Sequence, residues 1–225
     1  MRFLTSDIYK MTQISANIFC PKDEEYLKMA KEMYQGMDYD KKQRDYFMIM
    51  KPLMLEYFPE ELKKYVYDES IIPLKVPSVE MWNRVENWKS SVLEMSKKSS
   101  KDYIENYNRI KKQLPENILK MEKDFHFHDS KVISVNKSKE DEVKIQLNSG
   151  GFMAQGLYTI TFTGVKSFEL LNDIIGDIWL YNEIHLCENG KFYFQVLLWP
   201  TNEFIHCHEF GIVADDVLVE YKNNN

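Results

Sequence analysis

Glycine is scarce in this sequence, with 8 residues in 225. No glycine run has the spacing that cradles a phosphate, and nucleophile-elbow and HExxH patterns are also missing. Cysteine is scarcer still. Cys20, Cys187 and Cys207 cannot all pair, and their spacing matches neither a zinc site nor a redox motif, so reduced thiols in a cytoplasmic protein are expected. Long apolar runs are lacking too. The stretch from Phe192 to Trp199 is far short of a membrane span, and the opening residues hold no apolar core with a cleavage site of the secretory kind. No repeat or low-complexity tract occurs beyond the terminal asparagines. What remains is the composition of an ordinary soluble protein, 44% hydrophobic and 28% charged.

The distribution of residues is more telling than their totals. All five histidines lie after Asp124, and eleven of the twelve methionines lie before it. Residues 1–124 carry 22 basic and 21 acidic side chains, whereas 125–225 carry 7 and 14. Apolar spacing changes at the same place from a helical period to alternation. An α+β protein is expected, with a helical domain over 1–124 and a mainly antiparallel β-sheet or sandwich domain over 125–225.

In the first half, Thr5 or Ser6 can cap a helix running to Phe19, and Pro21 can open a second that Gly36 closes. The apolar segment 46–58 is expected to be bent or interrupted at Pro52, and Pro59 to start a short helix. Prolines at 73 and 77 predict an extended link over 71–77. Ser78 caps the clearest helix, where Met81, Val85, Trp88, Val92 and Met95 share one stripe; the polar run 96–101 is expected to interrupt it. Tyr103, Tyr107, Ile110 and Leu114 resume the spacing, and Ile118, Met121 and Phe125 continue it past Pro115. Bundle helices explain these stripes better than a partner-binding coiled coil, because sustained heptads are missing.

Strands are expected over 125–136, 143–147, 157–165, 177–187, 191–199 and 217–221, with turns at 148–151 and at Asn189-Gly190. In the first of these, Phe125, Phe127, Ile133 and Val135 fall on one side, opposite His126 and His128.

Two constellations carry potential chemistry. His126-Phe-His128-Asp129 and His206-Cys-His208-Glu209 each put two imidazoles on one strand face. If the strands are neighbours, His126, His128, His206 and His208 can converge on a zinc or iron ion. The competing reading is that these histidines are simply the solvated side of their strands. A two-residue turn at Asn189-Gly190 pairs His185 with Phe194 and Glu183 with Val196. It places Trp179, Tyr181, Glu183, His185 and Phe194 on a common ligand or partner surface. Glu183 and His185 read more readily as an interdomain hydrogen-bonding pair than as catalysts. Lysine clusters such as Lys97-Lys98 alternate with acids and read as solvated helix faces, so no nucleic-acid partner is expected, and no membrane partner.

The opening Arg2-Phe-Leu-Thr-Ser-Asp-Ile-Tyr-Lys-Met-Thr-Gln13 resembles the start of a bacterial family of uncharacterised proteins with a helical N-terminal region. The similarity continues in His128-Asp129, the turn 148–152, Trp179-Leu-Tyr-Asn-Glu-Ile184 and Asn189-Gly190. That resemblance implies the same α+β organisation and no established activity. The His-Asp opening is also similar to small β domains among immunity proteins of bacterial toxin systems. The expected function is a non-catalytic cytoplasmic binding or interaction protein with a protein partner and no cofactor. The rival is a metal-binding protein or metal-dependent hydrolase built on the two His-x-His pairs.

Overall fold

A computed structural model describes residues 1–149, 156–187, 190–201 and 206–223. Six helices precede the first strand: α1 (Ser6–Asn17), α2 (Glu24–Met33), α3 (Tyr39–Tyr57), α4 (Glu60–Tyr67), α5 (Val79–Ile110) and α6 (Glu116–Asp124). Eight strands follow: β1 (Lys131–Lys139), β2 (Glu142–Asn148), β3 (Gly156–Thr163), β4 (Ser167–Leu170), β5 (Ile178–Leu186), β6 (Phe192–Trp199), β7 (His208–Ala214) and β8 (Asp216–Asn223). The protein is α+β, and among the described residues no strand begins before Lys131. No described helix is long and apolar enough to cross a membrane.

Local chemistry explains the helix starts. Asp23 and Asp38 cap α2 and α3 by accepting from the amides of Tyr26 and Lys41, and Ser78 accepts from Met81. Pro52 lies inside α3, which is not interrupted there. The break expected over 96–101 needs correction, because α5 runs through it. The Ser-Lys stretch contains no glycine or proline, so its polarity marks exposure rather than a break. Residues 71–75 form turns and bends in place of the extended link expected over 71–77, with Ile72 N–H donating to Glu69 C=O at 3.2 Å.

The chain divides into two compact units, Asp7–Lys98 and Met1–Ser6 with Ser99–Asn225. The division falls at 98/99, not at 124/125 where strand replaces helix. The reason is that Leu114, Ile118 and Met121 share a core with the sheet, so the helical segment before Asp124 packs as part of the β unit. The helical unit has its own core, including Ile14, Leu62, Val66 and Val85, all fully buried, and the Phe58–Trp88 ring pair at 4.7 Å.

In the β unit the strand order is β4-β7-β6-β5-β1-β2-β3-β8, with every neighbour antiparallel. The sheet curls on itself, bringing Phe162 of β3 within 5.4 Å of Phe194 of β6. β4 and β7 were not expected as strands. Neither are 125–130 strand residues: Asp129 takes a φ of 65° and the chain turns there. A register shift between Val132 and Ser134 then leaves Ile133 exposed and puts Val132 and Val135 together on the core side.

Candidate functional site

The site originates in an incomplete strand pairing. β1 and β5 share one residue pair, Lys131 with Ile178. Beyond Trp179 no strand among the described residues lies along this edge of β5, because the 125–130 link turns to bury Phe127 in the core. Its exposed polar groups need other partners. His128 Nδ1 lies 2.8 Å from Leu180 C=O, and Ile184 N–H donates to the Tyr103 hydroxyl at 3.2 Å. Side chains thus stand in for a missing strand, and a shallow open cleft of about 220 Å³ forms beside them. Glu122, His126, His128, Tyr181 and Asn182 line it, with Leu4.

The framework orients the cleft's polar groups. A carbonyl only accepts, so His128 Nδ1 carries the hydrogen, and Nε2 lies 3.9 Å from Asp129 Oδ1. Its ring stacks on Tyr181, with centroids 5.6 Å apart. Asn182 is held at both ends. Its oxygen accepts from the Trp179 indole at 3.2 Å, so its amide nitrogen donates to Glu122 Oε1 at 3.0 Å. Burial pushes the Glu122 carboxyl above its ordinary range, against the opposing pull of the Asn182 amide. Burial, reinforced by the charge of Asp129, likewise raises Tyr181.

Glu183 and His185 serve a different purpose. Glu183 is fully buried, and its Oε1 accepts from the amides of Phe3 (2.9 Å) and Leu4 (2.5 Å). Its Oε2 takes the Arg2 amide at 3.0 Å and His185 Nε2 at 2.9 Å. Burial raises this carboxyl, but the imidazole and the three amides outweigh it and hold Glu183 below its ordinary value. The Phe3 ring lies 6.2 Å from that of His185, near parallel. The pair is therefore a latch for residues 2–4 and lies within one unit, not between two. His185 Nδ1 is left buried without a partner among the described residues.

The surface expected from the hairpin is not assembled. His185 pairs with Tyr193, Glu183 with Gln195 and Tyr181 with Leu197, one residue out of the expected register. Cys187 N–H bonds Lys191 C=O at 2.7 Å, so three residues separate the closing pair; Gly190 has a φ of 75°, and Asn189 lies outside the described residues. A bulge at Leu180 then reverses the alternation. Trp179 and Phe194 point into the core with Ile184, while Tyr181, Glu183 and His185 share the other face. The turn expected at 148–151 lies partly outside the described residues.

The four histidines are also not brought together. His126 and His206 are exposed, and His208 Nδ1 pairs with Asp177 Oδ2 at 2.7 Å. Among the described residues no group of three or more His, Cys, Asp or Glu side chains is placed to share a metal ion. Topology is the cause. β6 and β5 lie between β7 and β1, a separation of about 14 Å along the sheet at the usual strand spacing. Glu122, Asn182 and Tyr103 were missed altogether. Glu122 lies four residues after Ile118, so a carboxylate on the apolar side of α6 was a signal available in the sequence.

A family model described as protein of unknown function (DUF4085) matches residues 3–207. The chain belongs to that family. No curated protein and no solved structure matches it.

Proposed function

We propose that the protein is a non-catalytic cytoplasmic interaction protein that receives a group of a partner protein in the cleft beside β5. One observation carries this reading. His128 and Glu122 are each fixed by a framework bond, to Leu180 C=O and from Asn182, and Glu122 keeps its second oxygen for a ligand. Groups fixed before binding lose little freedom on binding, which is how recognition sites gain affinity. Among the described residues the lining contains no serine, threonine or cysteine, and the neighbouring Glu183 carboxylate is saturated by four hydrogen bonds. A cleft of about 220 Å³ is smaller than the pockets that enclose whole metabolites, and fits a single side chain.

The test is a fragment screen by amide chemical shifts on isotope-labelled protein, using fragments of each charge type. Shifts confined to residues 122–128 and 180–182, with fragments recovered intact, are expected. Conversion of a fragment, or an unresponsive cleft throughout the screen, would overturn the reading.

A further inference from the structure

The cleft also carries information about what it binds. Resting on the binding reading above, we infer that it takes a protonated primary amine, the lysine side chain of a partner protein.

Three observations converge. The first is that the groups on offer are carboxylate oxygens. Asn182 holds Glu122 Oε1 and leaves the second oxygen to a ligand, and Asp129 Oδ1 lies 3.9 Å from Nε2 of the lining His128. A ligand meeting these oxygens must donate. The second is the geometry of the carboxylate. Asn182 occupies Oε1, leaving one oxygen, whereas a guanidinium fork is best matched by two. A compact ammonium needs only a single oxygen. The third is the surroundings. The rings of Phe125 and Tyr181 line the cleft and suit methylene groups and a cation. The unit that contains the cleft has 14 basic side chains against 19 acidic, which favours a cation's approach.

The experiment is titration of the intact protein, followed by amide shifts of residues 122–128 and 180–182. The probes are n-butylamine, n-butylguanidine, n-butanol and the capped peptide acetyl-Gly-Lys-Gly-amide. Butylammonium is expected to bind at these residues about tenfold more tightly than butanol and more tightly than butylguanidine. Glu122→Gln keeps the acceptor for Asn182 and is expected to weaken amine binding about tenfold, and Asp129→Asn tests the second carboxylate independently. Thermal melts establish that both variants fold.

Butanol or butylguanidine binding as well as the amine would overturn the proposal, as would unchanged amine binding in both variants. Tighter binding of the lysyl peptide than of butylamine supports a partner's lysine. Equal or weaker binding overturns that source in favour of a free amine. If fragments of other classes shift the cleft and amines do not, the amine assignment fails alone. If no class shifts it, the binding reading fails too.

Discussion

Two glutamates, Glu183 fully buried and Glu122 half-buried, respond to burial with opposite outcomes, and the difference lies in their hydrogen-bond supply. Glu183 is given three amides and an imidazole; Glu122 is given one amide. Because the folded Glu183 binds its proton less tightly than the unfolded chain does, it contributes stability above the ordinary value of 4.5, lost as pH falls through the lower folded value. Glu183→Ala strands three amides and a buried imidazole, and is expected to cost about 3–5 kcal/mol in urea unfolding near neutral pH. Glu122 has the reverse sign. Between 4.5 and its raised folded value the native state holds more protons than the unfolded chain, so stability declines as pH rises through that window. Glu122→Gln is therefore expected to be more stable than the parent above the window. The gain should vanish once pH falls below 4.5; a variant less stable at all pH values would contradict this account.

At the scale of elements, the helices were more legible than the strand registers. Capping residues and apolar stripes are local, so α2, α4 and the start of α5 follow from short stretches of sequence. Ser78→Ala is expected to cost about 1 kcal/mol by removing the acceptor for the Met81 amide, read as a lowered melting temperature. Register is different, since one added residue changes every cross-strand partner. Nothing in the Asn189-Gly190 dipeptide distinguishes a two-residue turn from a three-residue loop, and nothing around Leu180 marks a bulge. Both misplaced the expected surface. Gly211 shows how closely β6 and β7 are fitted: a Cβ there would overlap the Tyr193 phenol. Gly211→Ala is accordingly expected to lose about 1–3 kcal/mol, measured by denaturant unfolding.

For the whole molecule, the switch of apolar period near Asp124 marked where strands begin but not where the chain divides. Periodicity reports which side of an element is buried and says nothing about which neighbour buries it. Tyr107, Ile110, Leu114, Ile118 and Met121 follow a helical stripe like any other, yet their partners are strands. The same limit hid the candidate site, whose residues come from α6, the 125–130 link and β5 and meet only through the topology.

The eight-stranded order can also be read as two four-stranded blocks, β4-β7-β6-β5 and β1-β2-β3-β8, sewn together along one short seam. Among the described residues four main-chain hydrogen bonds cross it, joining Asp129, Ser130 and Val132 to Gly176, Asp177 and Trp179. Ladders inside each block are far longer: β3 and β8 alone pair over eight residues. Opening the seam breaks few bonds, so the sheet has a built-in line of breathing beside the cleft. Native-state hydrogen exchange should find the amides of Asp129, Val132, Gly176 and Trp179 exchanging well before those of Ile145 and Ile160. A lysine seated in the cleft, between the link that leads into β1 and Tyr181 and Asn182 of β5, would slow that exchange, so binding would be felt as a stiffening of the sheet at its weakest line.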